Sequence, residues 1–265
     1  MVFSFICKQF YKVINKVNKA KMKYDLDHCK SLLKERKLIL ICDLDDTLIS
    51  SMYLNNNYLN PNFDESIVVA FSEEKKKNKY IYIKLRPYLK DFLKEMSNIF
   101  ELHLMSLGNA EHVKKCLKVI DPKGEYFADR VTSRDNMLIL NDKAKTTKEM
   151  FLGCSNIIIS LDDNIDVWNH SPTLLNIKPL NYFHSLSGIL KRCPFTSKEH
   201  IQIYLKDHLR NIESKLKDNS LLVLQSVLKD YQHKFFKILD EENSNETKIV
   251  YPDIAQIMGK KDKSY

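Results

Sequence analysis

Residues 38–47, LILICDLDDT, constrain this chain more than any other stretch. A short apolar and partly β-branched run enters three carboxylates, Asp43, Asp45 and Asp46, with the Thr47 hydroxyl close behind. A run of that length and composition predicts a buried strand over 38–42. The pattern recurs twice: FELHLMS, 100–106, ends on Ser106, and CSNIIISLDD, 154–163, ends on Asp162 and Asp163. A fourth short strand fits TLLNIKPL. Helical spacing fills the intervals: RPYLKDFLKEMSNI, with Pro87 at its first turn, and NAEHVKKCLKVI, closed by the turn DPKG. Alternating strands and helices predict an α/β domain with a mainly parallel sheet. Such sheets bind ligands at the carboxyl ends of their strands, which is where all three polar clusters fall.

The flanks read differently. Residues 1–37 keep helical spacing through Phe10, Val13, Ile14 and Val17, and hold ten Lys or Arg against three Asp or Glu. This basic segment therefore accounts for most of the +8 formal charge. A basic arm suits an acidic partner, but for most of these lysines a solvated helix face is the simpler reading, and direct nucleic-acid binding is not expected. Residues 52–80 form a polar excursion around two strand-like pieces, SIVVAF and YIYIKL, with a charged tip at 73–79. That predicts a flap or hairpin beside the end of the first strand. Beyond Pro194, apolar steps of three and four predict two amphipathic helices, 198–217 and 219–239, before a flexible GKKDKSY tail.

Six cysteines (Cys7, Cys29, Cys42, Cys116, Cys154, Cys193) show no paired spacing, which argues against a zinc module and a disulfide framework and for a reducing compartment. No apolar run approaches a membrane span, and the opening one is too short for a signal peptide.

The chemistry lies in the polar clusters. Asp43 and Asp45, two residues apart at a strand end, suit phosphoryl transfer through an aspartyl phosphate: one carboxylate attacks phosphorus while the other reaches the leaving oxygen. Ser106, followed by a turn with Gly108, could bond a phosphate oxygen while backbone N–H groups face the same anion. Lys145 precedes the third strand and could neutralise a carboxylate and a phosphate that repel each other, although Lys143 and Lys148 compete for that role. Asp162 and Asp163 with Asp43 could hold Mg²⁺, which takes hard oxygen ligands. Taken singly, each residue has a plainer explanation: a strand-end serine, a surface lysine, a turn-forming acid pair.

Five stretches in order, LLKERKLILICDLDDTLI, YIKLRPYLKDFLKEMSNIFELHLMSLGNAEHV, IDPKGEYFADRVTSRD, KTTKEMF and IIISLDDNIDVWNHSPTLLNIKPLNYF, resemble the RNA polymerase II C-terminal-domain phosphatase family of the haloacid dehalogenase superfamily, in its TFIIF-associated form. LLVLQSVLKDYQHKFF resembles the helix after that family's phosphatase domain. The resemblance implies a haloacid-dehalogenase-like Rossmannoid sheet with a flap after the first strand and a helical C-terminal extension. It divides the chain into a basic helical segment at 1–37, a catalytic domain at 38–190 and the extension at 191–265. It also implies roles: Asp43 as nucleophile, Asp45 as general acid and then base, Thr47 orienting Asp45, and Ser106 with Lys145 binding the phosphoryl group. Mg²⁺ would be held by Asp43, the Asp45 backbone carbonyl and Asp162, with Asp163 acting through water.

The implied substrate is the phosphorylated heptad-repeat tail of RNA polymerase II, in the nucleus, lying along the cleft beside the flap, with Lys75, Lys76, Lys77 and Lys79 near its tip. A general transcription factor could dock on the C-terminal helices, which could equally pack on the domain. The chain departs from the family at Asn109–Ala110 and Asn164, where the larger members carry arginine. It ends soon after the second C-terminal helix, so the expectation is a version without the phosphopeptide-binding BRCT domain of larger relatives. A family phosphatase with another phosphoprotein substrate is the near alternative, and a non-catalytic adaptor on the same fold is the competing class. The full set from Asp43 to Asp162 favours catalysis. His28, His103, His112 and His170 receive no role, with His103 read as a packed or satisfied histidine, and Trp168 is expected to pack the turn after the third strand.

Overall fold

A computed structural model of the chain describes residues 2–54, 67–71, 80–137, 145, 151, 153–184, 194, 197–215, 217–243 and 251–259. Its strands are β1 (Leu38–Cys42), β2 (Ile49–Leu54), β3 (Ile67–Phe71), β4 (Tyr80–Leu85), β5 (Phe100–Met105), β6 (Val131–Thr132), β7 (Ile158–Asp162) and β8 (Leu174–Asn176). Its helices are α1 (Val2–Lys34), α2 (Leu89–Ile99), α3 (Ala110–Ile120), α4 (Lys198–Lys215), α5 (Ser220–Glu242) and α6 (Ile254–Met258).

Every residue of β1 is buried. A strand apolar on both faces must be covered on both, which a parallel sheet between helices provides. Each large aliphatic side chain so buried contributes roughly 1.5–3 kcal/mol. β1 lies at the centre of a five-stranded sheet of order β6-β5-β1-β7-β8, in which all pairings are parallel. Leu40 faces Leu102 of β5 on one side and Ile159 of β7 on the other.

The flap is a second, antiparallel sheet of order β2-β4-β3. The two expected pieces form β3 and β4. A third strand, β2, grows directly out of the turn after β1 and pairs with β4 from Ile49↔Leu85 to Leu54↔Tyr80. The flap is thus joined to the turn after β1 by continuous strand. Its tip lysines lie outside the described residues.

Several expected boundaries move. The helix after β4 begins at Leu89, because Tyr88 takes a left-handed conformation (φ 65°) and Pro87 stays in the preceding turn. The run at 154–163 becomes extended only at Ile158, after a 3₁₀ turn over Ser155–Ile157. β6 and α6 are too short to leave a periodic signal.

On one point the cysteine expectation is corrected, since Cys29 of α1 and Cys154, before β7, form a disulfide across 125 residues of sequence. Spacing rules detect only partners near in sequence, and this pair is made by packing. Gly153, at φ 84°, lets α1 lie close, since a Cβ there would stand 3.3 Å from Met22 and 3.4 Å from Leu26. Cys42 and Cys116 are buried free thiols.

Beside Cys29 on α1, His28 bonds the Glu101 carboxylate at the start of β5 at 2.9 Å, and His103 bonds the same carboxylate at 2.7 Å. His103 is therefore a satisfied histidine, as its alternation suggested. Among the described residues, no helix is long and apolar enough to cross a membrane.

α5 packs on α2 and contributes Leu221, Leu224, Leu228, Phe235 and Phe236 to the same apolar core as the sheet. Polar contacts hold its outer edge: Lys229 bonds Glu95 at 2.9 Å, and Gln232 donates to the Arg36 carbonyl at 2.8 Å. The Arg36 guanidinium lies 4.6 Å from the Phe236 ring centroid and forks onto Asp240 at 3.1 and 2.9 Å.

Candidate active site

The sheet order turns at β1, with β5 on one side and β7 on the other. The carboxyl ends of these three strands therefore border one crevice. Cys42 pairs with Leu161, and Asp43 N–H donates to the Leu161 carbonyl at 2.9 Å, so Asp43 and Asp162 emerge side by side. Ser106 follows β5 on the opposite side, its N–H donating to the Thr132 carbonyl at 2.9 Å.

The buried Lys145 ammonium lies in contact with Asp43 Oδ1 and bonds Asp162 Oδ2 at 2.6 Å. The Asp43 carboxyl stands raised at about 7: burial pushes it up, the Lys145 charge opposes that, and the neighbouring Asp162 adds to the rise. Burial alone would lower Lys145, but its two carboxylate partners outweigh that and hold it above its ordinary value. One cation between two acids offsets part of their charge and leaves the cluster acidic. Asp162 is the best-held member: Oδ2 also accepts from Trp168 Nε1 at 2.7 Å, and Oδ1 accepts from Asn164 N–H at 2.8 Å. Trp168 thus bonds a site carboxylate as well as packing the turn. Lys143 and Lys148 lie outside the described residues.

Asp43, Asp162 and Asp163 offer carboxylate oxygens that all lie within 4.8 Å of one another. Three hard oxygens at the mouth of a crevice fit Mg²⁺. Burial first, and then Asp162, raise the Asp163 carboxyl.

Thr47 corrects an expectation. Its hydroxyl donates to Asp163 Oδ1 at 3.1 Å and accepts Asp163 N–H at 3.0 Å. It therefore fixes Asp163 across the crevice and does not orient Asp45. Ser106 Oγ accepts the Gly108 N–H at 2.9 Å, so that N–H is committed to the serine and does not face an anion.

Asp45 stands apart from the acid cluster, its side chain 37% exposed. Ser51 Oγ donates to its Oδ1 at 2.7 Å, and His112 Nε2 lies 2.9 and 2.8 Å from its two oxygens. Tyr53 Oη is 2.9 Å from the other ring nitrogen of His112. The turn carrying Asp45 is tight: Asp46 sits at φ 58°, and its carbonyl accepts from Arg86 Nη2 and from Leu180 N–H, both at 2.8 Å. Ser51, Tyr53, Arg86 and His112 had no sequence signal as site residues. They reach Asp45 or its turn from the flap and from α3, and no local spacing records that.

The model of the NLI interacting factor-like phosphatase family matches residues 38–197. An RNA polymerase II C-terminal domain phosphatase of Caenorhabditis elegans is 29% identical over 86% of this chain and 32% of its own length. One from Schizosaccharomyces pombe is 32% identical over 62% of this chain and 24% of its own length. RNA polymerase II C-terminal domain phosphatase-like 4 of Arabidopsis thaliana is 30% identical over 81% of this chain and 48% of its own length. The chain thus spans less than half the length of each of these curated relatives. Among solved structures, fission yeast RNA polymerase II CTD phosphatase Fcp1, in a variant bound to beryllium fluoride, superposes with a TM-score of 0.68. That match is 23% identical and covers 89% of this chain and 73% of the other. A second similar structure, of Fcp1, an essential RNA polymerase II CTD phosphatase, superposes with a TM-score of 0.66.

Proposed function

The chain belongs to the NLI interacting factor-like phosphatase family, and from that premise we propose that it is a Mg²⁺-dependent protein serine phosphatase acting on the heptad-repeat tail of RNA polymerase II. The observation that carries the reading is the buried Lys145 held against Asp43 and Asp162, with Asp163 alongside. A purely structural acid cluster has no need of a nucleophile at a crevice mouth, whereas phosphoryl transfer needs a carboxylate and cations that offset repulsion from phosphate.

In the first step an Asp43 oxygen bonds to phosphorus, the bond from phosphorus to the seryl oxygen breaks, and Asp45 gives its proton to that oxygen. In the second, water attacks the aspartyl phosphate, Asp45 takes a proton from it, and Asp43 returns as carboxylate with inorganic phosphate released. Lys145 bonds Asp43 throughout and offsets charge on the phosphoryl oxygens, while Ser106 lies on the β5 side of the crevice as a further donor. Mg²⁺, held by Asp43, Asp162 and the Asp45 carbonyl with Asp163 behind them, would supply a hard positive charge facing those oxygens. The separation of roles follows the surroundings: Asp43 is buried against a cation, and Asp45 is open to solvent and to a leaving group.

Curated relatives bear the name of RNA polymerase II C-terminal domain phosphatase, which supports the polymerase tail as substrate and the nucleus as the place of action. A general transcription factor fits as a further partner. The test is phosphate release from a doubly phosphorylated heptad peptide, with and without Mg²⁺, for wild type and Asp43→Asn. Release that needs Mg²⁺ and disappears in the variant is expected. No release from the peptide or from a small aryl phosphate would replace the enzyme by an adaptor, and release from the aryl phosphate alone would discard the polymerase tail.

A further inference from the structure

We propose that His112, itself held by Tyr53, is the positioning residue that aims Asp45 at the leaving group, so that flap strand β2 and helix α3 grip the general acid between them. This rests on the phosphatase reading above. His112 lies with both Asp45 oxygens within 2.9 Å of Nε2, and its ring is largely buried, at 11% exposed. A side chain that is 37% exposed and open to water would otherwise sample several rotamers.

Four independent features fix the imidazole in that place. Asn109 caps α3 by accepting the His112 N–H at 2.8 Å, which anchors its backbone in the first turn. Gly108 makes room for the ring: a Cβ there would stand 2.8 Å from His112 Cδ2. Cys116, one turn further along α3, packs its sulfur 3.8–3.9 Å from the ring nitrogens. Tyr53 Oη, from β2, bonds the remaining nitrogen at 2.9 Å. Tyr53 and Asp45 thus engage the two nitrogens of the ring from opposite sides, so its orientation is fixed at both. Ser51, two residues before Tyr53 and so on the same face of β2, completes the bracket at 2.7 Å from Asp45 Oδ1.

The arrangement has a distinctive kinetic consequence. A general acid matters when the leaving group is a poor one, as a seryl alkoxide is, and matters little when it is p-nitrophenolate. Loss of aim at Asp45 should therefore slow step one selectively, whereas a general loosening of the fold should slow both substrates alike.

The experiment measures single-turnover rates with Mg²⁺ on a phosphoseryl heptad peptide and on p-nitrophenyl phosphate, for wild type, His112→Ala, His112→Gln and Tyr53→Phe. Expected is a loss of about tenfold or more on the seryl peptide in His112→Ala, and less than about twofold on the aryl phosphate. His112→Gln, which restores an N–H donor, should recover part of the loss, and Tyr53→Phe should fall between. Equal slowing of both substrates, or none on the peptide, overturns the positioning role while leaving the enzyme intact. Should His112→Ala fail to fold, Tyr53→Phe decides by the same ratio. Inactivity of the wild type on both substrates overturns the phosphatase reading, and the positioning role falls with it; that outcome is told apart from the first because there the wild type is active.

Discussion

At the scale of single residues, Thr47 shows how little a motif says about the bond a side chain makes. Its place two residues after Asp45 suggested support for that acid, yet both of its hydrogen bonds go to Asp163. Replacing it with valine keeps the shape and leaves the Asp163 N–H and carboxylate without that partner. A buried polar group so orphaned costs about 1–3 kcal/mol. Thr47→Val should thus lower the unfolding midpoint and weaken Mg²⁺ binding, read by denaturant unfolding and by isothermal titration, with the hydroxyl-bearing Thr47→Ser recovering most of both. Unchanged Mg²⁺ affinity would show that Asp163 needs no anchoring. Asp43, Ser106, Asp162 and Asp163 were legible in the sequence because strand ends are marked by composition and because chemistry restricts residue type there, whereas Lys145 lies on no strand and spacing alone left Lys143 and Lys148 as rivals. His112, Tyr53 and Ser51 were not, since each becomes a neighbour of Asp45 only after β2 and α3 have packed around it.

At the scale of elements, β1, β5, β7 and β8 were readable because each lies in a short apolar run, and α3 because its cap and its closing turn both carry their usual residues. β2 was hidden, for ISSMYL looks like a polar exit from the turn until its pairing with β4 is seen. The attachment of α1 to β5 was hidden as well, and it has a measurable signature. Burial alone would raise the Glu101 carboxyl, but hydrogen bonds and charge from His103 and His28 overrule it and hold the group at about 2, against an ordinary 4.5. The native state therefore binds this proton less tightly than the unfolded chain does. The resulting stabilisation is complete above pH 4.5 and is lost as pH falls towards 2. His103, lowered from 6.5 by burial, acts with the same sign at higher pH: its contribution is present above 6.5 and declines as pH falls. Urea midpoints measured from pH 7 to 3 should fall steadily for the wild type. Glu101→Gln should flatten the part below pH 4.5, and an unchanged slope would place the acid sensitivity elsewhere.

At the scale of the whole molecule, helix α5 belongs to the fold. The sequence showed two amphipathic faces but could not say what covers them, because an apolar stripe looks the same whether its partner is the same chain or another. The buried face of α5 answers for that helix, with Leu224 and Leu228 in the core that also contains α2 and the sheet. Leu228→Ala should cost about 2–5 kcal/mol and shift a single melting transition seen alike by far-ultraviolet dichroism and by loss of activity. Two separated transitions would mean that α5 is an appendage. Arg86 gives this continuity a mechanical side. Its guanidinium, buried at 1% exposure, donates Nη2 to the carbonyls of Asp46 at 2.8 Å and Lys178 at 2.7 Å, while Nη1 lies 3.2 Å from Asp218 in the link between α4 and α5. Three segments far apart along the chain meet on one rigid planar group. One buried cation therefore ties the α4–α5 junction to the Lys178 segment and to Asp46, the residue next to Asp45.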